Sequence, residues 1–196
     1  MPAPSRQLDG PLRELFERIE PHSDLTAPDL PEVAAALRDL AADHDYFAPA
    51  IKALGDHSGP TPLYLPERGP RLLLVHRRRG QMGAVHDHKV WVALAPIVGV
   101  EAHRRWRPLT AEDRVHIRAM EEEAVKPGTC VTLLPPDDIH DHGHRMGVGA
   151  AAYVLVLLGD DQFRHRRGEW DPETGRHRWL EPGDVGRWLA SEPFPG

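Results

Sequence analysis

From His57 onward, short apolar runs alternate with turn-forming residues. Each run has the length of one β-strand, and the Pro and Gly residues between the runs favour tight connections rather than helices. Short strands at this spacing predict a β-sandwich, a jelly roll or a barrel. The runs cover residues 63–65, 71–75, 90–97, 115–120, 129–134 and 150–158.

The residues before this region have a helical periodicity instead. Apolar side chains recur there at three- and four-residue spacing in three segments, which predicts three amphipathic helices. Asp29 is placed as the N-cap of the second helix, and Gly55 ends the third. Because each apolar face needs a partner surface, we expect residues 1–56 to form a helical cap that folds as one unit with a β-barrel of residues 57–196.

The tail beyond Gly159 is polar and contains three of the five Trp residues. We expect this tail to be an extension that packs over the outside of the β-barrel.

Charge and composition exclude several classes of function. The formal net charge of −6 leaves no broad basic footprint for a phosphate backbone, so no nucleic-acid partner is expected. The longest apolar run, residues 148–158, is too short to span a bilayer, and residues 1–16 lack the apolar stretch of a secretory signal. Cys130 is the only cysteine, which excludes an internal disulfide. We therefore expect a cytoplasmic protein with a small-molecule substrate, and the sequence leaves its oligomeric state open.

Two short segments contain a high density of histidines. His86 and His88 lie two residues apart in a strand-like context, so both imidazoles leave the same face. The second segment supplies His140, His142 and His144 as candidates for a third ligand. Two imidazoles on one face and a third from elsewhere are able to hold a divalent metal, and we predict such a site.

The first histidine segment resembles the first motif of the cupin superfamily, whose fold is a double-stranded β-helix. Gly80, His86, His88 and Gly99 stand at the motif's Gly, HxH and Gly positions. Val92 occupies the position at which that motif has a Glu. The resemblance implies a mainly β fold, a cupin double-stranded β-helix or jelly-roll barrel, with the helices as an N-terminal cap.

The second segment resembles the second cupin motif, in which a His follows a Pro at fixed spacing. Pro135 and His140 match that spacing, whereas His144 stands at the position of the motif's Asn. This register selects His140 as the third metal ligand over His142 or His144.

The replacement of the motif's Glu by Val92 changes the chemistry of the predicted site. Three neutral imidazoles leave a bound divalent metal with its full charge and with open positions, which suits an anionic chelating substrate and dioxygen. The sequences VHDH at residues 85–88 and IH at residues 139–140 resemble the ligand signature of cysteine dioxygenase-type thiol dioxygenases. The resemblance extends over residues 60–180. It implies one divalent metal, Fe(II) or alternatively Ni(II), O₂ as co-substrate, and a small amino-thiol or thiol carboxylate as substrate.

The substrate-binding residues of that family are not matched. Its Ser-x-His-x-Tyr relay corresponds here to the apolar residues 152–158, and its carboxylate-binding Arg corresponds to the region of residues 62–65. Four residues are candidates to replace them. His144, our first choice, and His142 are candidate acid–base groups, Arg145 is a candidate partner for a carboxylate, and Tyr153 keeps a phenol near the lost relay.

The run Arg77-Arg78-Arg79 is interpreted as a solvated turn that could steer anions. Altogether, the sequence predicts a mononuclear non-haem metal-dependent oxygenase that oxidises a small thiol or cysteine-like amino acid. Two alternatives stay open. One is a metal cupin that cleaves a carbon–carbon bond in a non-thiol acid or isomerises it, and the other is a non-catalytic metal-binding cupin, which the missing relay favours.

Overall fold

Three α-helices precede the β-strands in the computed structural model, which describes residues 8–110, 115–144 and 151–184. Asp29 caps the second helix as predicted, because its side chain accepts a hydrogen bond from the backbone N–H of Glu32. Asp43 caps the third helix in the same way, through the N–H of Tyr46. In the part of the chain that the structure describes, no helix is long and apolar enough to cross a bilayer. The helices are α1 (Gly10–Ile19), α2 (Leu30–Ala41) and α3 (His44–Leu54).

Eleven β-strands in the described residues form two antiparallel sheets. The first sheet has five strands in the order β1-β2-β9-β4-β7, and the second has six in the order β11-β10-β3-β8-β5-β6. The strands are β1 (Gly59–Tyr64), β2 (Arg71–Arg78), β3 (Val85–His86), β4 (Val92–Val98), β5 (Glu101–Pro108), β6 (Ile117–Val125), β7 (Val131–Leu133), β8 (His140–Gly143), β9 (Ala151–Leu158), β10 (Arg167–Asp171) and β11 (Arg176–Leu180).

The chain alternates between the two sheets as it proceeds. Strands β2, β4, β7 and β9 belong to the first sheet, whereas β3, β5, β8 and β10, each of which follows one of them, belong to the second. A chain that passes back and forth between two facing antiparallel sheets winds as a double-stranded β-helix. The predicted mainly β fold of this type, with N-terminal helices, is confirmed.

The first sheet is apolar on both faces, so it forms the centre of the structure. On its outer face Leu72, Leu74, Leu155 and Leu157 pack in one cluster with buried side chains of the helices, among them Leu37. This contact covers the apolar faces of the helices and positions the predicted cap on the first sheet.

The inner face of the first sheet carries a second apolar cluster. Leu73, Val75, Val154 and Val156 alternate along β2 and β9 with the outer leucines, and Val125 of the second sheet joins them. These side chains fill one side of the barrel interior, and the polar residues of the site lie on the other.

The expectation that the tail packs over the outside of the barrel is wrong. Residues Arg167–Asp171 and Arg176–Leu180 are strands β10 and β11, and β10 pairs with β3, so they extend the second sheet. Trp170 is buried against Val85 on the outer face of that sheet. The tail is polar because the inner side chains of β10 are charged, whereas Trp188 lies outside the described residues.

We predict that the cap and the barrel unfold in one transition, because the core under the first sheet is shared between them. Leu37→Ala should lower the free energy of unfolding of the whole protein by about 2–5 kcal/mol. Arg38→Ala, at an exposed position on the same helix, is the matched control and should change it by less than about 0.5 kcal/mol. Chemical denaturation followed in parallel by far-UV circular dichroism and tryptophan fluorescence measures this, and separate transitions for helix and barrel would contradict it.

Candidate metal centre

The second sheet brings three histidines together inside the barrel. His86 ends β3 and lies opposite His140, the first residue of β8, while His88 follows two residues after His86. Val85 and Ile139 belong to the apolar cluster on the outer face, so the neighbouring imidazoles of His86 and His140 point inward. All three histidines are buried, and one nitrogen from each lies within 4.8 Å of the others. The structure thus brings together the three residues that the sequence predicts as ligands, in a cluster able to hold a metal ion.

Each of these imidazoles has its Nδ1 occupied by an acceptor. His86 Nδ1 lies 2.8 Å from the carbonyl oxygen of Ala84, and His140 Nδ1 lies 3.0 Å from that of Asp138. His88 Nδ1 lies 2.6 Å from Oε1 of Gln162. A carbonyl oxygen has no proton to give, so Nδ1 must carry the proton and Nε2 keeps its lone pair. The surroundings therefore fix in all three rings the tautomer that a metal ligand needs.

The Nε2 atoms fit a metal by position and by protonation state. His86 Nε2 and His88 Nε2 are 3.0 Å apart. Two nitrogens that each lie about 2.1 Å from one ion are this far apart when they subtend a right angle, as in octahedral coordination. Burial lowers the pKa of His86 to about 3 and those of His88 and His140 well below the usual value, so all three rings are neutral at pH 7.

His140 supplies a further indication of a ligand. Its Nε2 is buried and has no hydrogen-bond partner among the residues that the structure describes. A buried acceptor without a partner is costly, and a metal ion would satisfy it.

Two carboxylates hold the loop that carries His88. Asp138 Oδ2 accepts hydrogen bonds from the backbone N–H groups of His88 and Lys89, at 2.9 and 2.8 Å. Lys89 has a φ of 62°, a conformation that these paired bonds stabilise. Asp87 points the other way, accepts from the N–H of Gly168 and forms an ion pair with Lys89. These acidic residues bind the protein's own backbone and side chains.

His142, one of the predicted catalytic residues, lies against the three histidines. Its ring centroid is 5.5 Å from that of His140 and 6.4 Å from that of His86. Its Nδ1 donates to Oε2 of Glu101 at 2.9 Å, and both side chains are buried. Glu101 has no role in the sequence analysis, because it lies on another strand, 41 residues away from His142.

His103 is a further residue to which the sequence assigned no role. Its ring stacks on that of His140 with centroids 5.2 Å apart, and burial lowers its pKa to about 3. The residue stands directly opposite His142 in the pairing of β5 with β8. Only this register, which the sequence did not indicate, brings it to the site.

The other three predicted catalytic residues are placed differently. His144 is buried, and its Nδ1 donates to the carbonyl oxygen of Val100 at 3.0 Å. Tyr153 does not reach the barrel interior: it alternates along β9 with the inward-facing Ala152, packs against the core under the helices and stacks on His76. Arg145 lies outside the described residues.

The interpretation of Arg77 as part of a solvated turn is wrong. Its side chain is 1% exposed, since Arg77 continues the inward-facing row of Leu73 and Val75 along β2. Arg78, its neighbour, is exposed as expected. Charge alone suggested a surface position for both, but strand alternation separates them.

Comparison with known proteins gives only distant similarities. No protein-family profile matches the chain, and neither does any curated protein. An RmlC-like cupin family protein with a double-stranded β-helix fold from Methanocaldococcus jannaschii is 17% identical, with a TM-score of 0.39 over 55% of this chain and 86% of that one. A conserved protein with a double-stranded β-helix domain from Klebsiella pneumoniae is 13% identical, with a TM-score of 0.40 over 53% and 75%.

An oxalate oxidase in complex with the substrate analogue glycolate is also similar. It is 15% identical, with a TM-score of 0.37 over 47% of this chain and 42% of the oxidase, so the match spans less than half of that enzyme. At such identities and TM-scores these similarities assign neither a family nor an activity to the chain.

We predict that His86→Ala, His88→Ala and His140→Ala each reduce bound metal far below one ion per chain, because each removes one of three donors. His44→Ala, at an exposed position on α3, is the control and should keep full occupancy. The measurement is metal content by mass spectrometry after anaerobic loading with Fe(II). Full occupancy in His140→Ala together with loss in His142→Ala would show that His142 is the third ligand.

A second prediction concerns Gln162, whose amide oxygen orients His88. Gln162→Leu should weaken metal binding by about 10- to 100-fold, because the Nδ1–H of His88 loses its acceptor. Gln162→Glu keeps an acceptor oxygen and should bind at least as tightly as the wild type. Competition with a chromophoric chelator measures both affinities, and equal affinities in the two variants would exclude this orienting role.

Proposed function

We propose that the chain is a mononuclear non-haem metal-dependent oxygenase that oxidises a small thiol or cysteine-like amino acid with dioxygen. The observation that carries the proposal is the cluster of three neutral imidazoles, each with an acceptor at Nδ1 and one ring nitrogen within 4.8 Å of the others. Val92, at the position of the cupin Glu, belongs to the apolar cluster inside the barrel. A divalent ion held by His86, His88 and His140 therefore keeps its charge and favours anionic ligands such as a thiolate.

Fe(II) in this cluster supplies a redox-active Lewis acid at which a thiolate and dioxygen meet, and Ni(II) is the alternative that imidazole also suits. In the overall reaction a thiol and one O₂ give a sulfinic acid, with both oxygen atoms transferred to sulfur. No external reductant is needed for this balance.

The chain's own residues must bind the substrate and accept its thiol proton. We assign the proton to His142, since Glu101 accepts from its Nδ1 and leaves Nε2 with a lone pair beside the three histidines. The buried carboxylate of Glu101 then stabilises the imidazolium that forms, as an oriented carboxylate does for a general base. This pair would take the place of the relay that the thiol dioxygenases carry on the strand corresponding to β9.

The inner face of β9 supports one alternative function. Ala152, Val154 and Val156 present only hydrocarbon at the place of the relay. An enzyme that cleaves or isomerises a non-thiol acid needs no such relay, so this is the second candidate. A metal-binding protein without catalysis is the remaining outcome of the test.

Oxygen uptake and product analysis discriminate these functions. The protein is loaded anaerobically with Fe(II) or with Ni(II) and mixed with cysteine, cysteamine and 3-mercaptopropionate, and in parallel with hydroxy and keto acids. We expect one thiol to be consumed in equal amounts with O₂ and to give a sulfinate. Consumption of only a non-thiol acid would establish the second candidate, and consumption of neither would leave metal binding as the function.

We predict that His142→Gln lowers turnover by roughly 10² or more, the usual contribution of one positioned acid–base group, with metal content intact. Glu101→Gln should have a smaller effect in the same direction, since it keeps an acceptor but loses the charge. His144→Gln is the matched comparison, because the sequence favours that residue for the same role. A large loss in His144→Gln and none in His142→Gln would transfer the role to His144.

A further inference from the structure

We propose that Arg77 is an anion-binding residue of the barrel interior, where its guanidinium binds the carboxylate of the substrate beside the three histidines. The inference rests on the proposed function in taking the barrel interior as the substrate site. It narrows the substrate class from small thiols in general to thiols that carry a carboxylate.

The first argument is the position of the guanidinium. Arg77 pairs with Ala152 and follows Leu73 and Val75 on the inner face of β2. A Cβ placed on Gly83 would lie 3.6 Å from Nη2 of Arg77 and 3.0 Å from the carbonyl oxygen of His142. The guanidinium therefore lies next to the backbone of β8 at His142.

The second argument is the lack of hydrogen-bond partners. Arg77 is buried, and its Nε and Nη1 have no acceptor anywhere in the described ranges of the chain. A guanidinium keeps its charge in proteins, and a buried charge with open donors is costly unless an anion reaches it. A bound carboxylate would provide both the negative charge and the acceptor oxygens.

The protein's own charges leave this guanidinium only partly compensated. Burial lowers the pKa of Arg77, and the carboxylate that opposes this effect is Glu101, whose Oε2 already accepts from His142. Arg167 gives the contrast: it is equally buried and its Nε also has no partner among the described residues, but four carboxylates act on it and its Nη2 donates to the carbonyl oxygen of Asp184. Of these two buried arginines, Arg77 is thus the one positioned for an external anion.

The position also differs from that expected from the thiol dioxygenases. Their carboxylate-binding Arg corresponds to the region of residues 62–65, which here lies in and beyond the edge strand β1. Arg77 lies on the neighbouring strand β2, nearer in sequence to His86. The Arg77 guanidinium, which reaches the barrel interior from β2, would take the place of the missing carboxylate-binding Arg.

The test measures binding in the absence of O₂, in protein loaded with redox-inert Zn(II). Calorimetric titrations compare 3-mercaptopropionate with 3-mercapto-1-propanol, which has the same length and thiol but no carboxylate. We expect the wild type to prefer the carboxylate. Arg77→Gln should lose about 10- to 100-fold in affinity for 3-mercaptopropionate, the range of a charge-assisted hydrogen bond, and keep its affinity for the alcohol.

Two variants serve as controls for charge and for surface effects. Arg77→Lys keeps the positive charge but loses the planar guanidinium. Its affinity for 3-mercaptopropionate should lie between those of the wild type and Arg77→Gln. Arg78→Gln removes the exposed neighbouring charge and should bind both thiols with the affinity of the wild type. An unchanged preference for the carboxylate in Arg77→Gln would overturn the proposal, as would equal binding of both thiols by the wild type. If Arg77→Gln does not fold, the titration of Arg77→Lys tests the proposal instead, and an unchanged preference for the carboxylate in that variant would overturn it.

A purely structural role for Arg77 gives a different result. If Arg77 only neutralises Glu101, Arg77→Gln lowers the melting temperature, the double variant with Glu101→Gln restores it, and the carboxylate preference stays unchanged in both. This outcome overturns the proposal. Because neither O₂ nor turnover enters the measurement, a protein that prefers the carboxylate through Arg77 but oxidises no thiol contradicts the proposed function and leaves this inference standing.

Discussion

The candidate site depends on the hydrogen bonds that orient three imidazole rings. Backbone carbonyls determine which nitrogen of His86 and His140 carries the proton, and the amide of Gln162 does so for His88. The remaining lone pairs are directed into one small, buried volume, where burial also keeps the rings from acquiring protons. A cation in this volume would satisfy these lone pairs, so the surroundings of the three imidazoles favour a metal ion as well as the imidazoles themselves.

The first sheet provides most of the apolar core, whereas the second carries the polar residues of the candidate site. The first sheet has apolar side chains on both faces and holds the helices and the barrel together. The second sheet has an apolar cluster on part of its outer face and carries imidazoles, carboxylates and guanidinium groups on its inner face. Because the core is built by the first sheet, the second tolerates buried polar groups that would otherwise cost too much. This division explains why every residue of the proposed mechanism other than Arg77 lies on or beside the second sheet.

The same division determines how much could be predicted from the sequence. Four strands of the first sheet, β2, β4, β7 and β9, largely coincide with predicted apolar runs, because strands buried on both faces are almost continuously hydrophobic. The edge strand β1 shares only its last two residues with a predicted run. In the second sheet β5, β8, β10 and β11 have polar inner faces, and these strands lack the alternation that reveals a strand. The His86–His88 spacing and the His140 register were readable because they are local. Gln162 and Glu101 were not, since their partners are 74 and 41 residues away. Tyr153 lies on the face of β9 that packs under the helices, and its alternation with Ala152 and Val154 is visible in the sequence.

The two-residue spacing of His86 and His88 has a consequence for how metal binding and folding are linked. These imidazoles remain neighbours in the unfolded chain, where they already form a chelating pair, whereas His140 joins them only when β8 pairs with β3. A ligand stabilises a fold only to the extent that it binds the folded chain more tightly than the unfolded one. The affinity of the local pair for a metal would therefore contribute little to stability, and the stabilisation would come mainly from the third imidazole and the oriented acceptors. A nascent chain able to capture a metal before its barrel closes would carry the ion into the interior as the strands assemble.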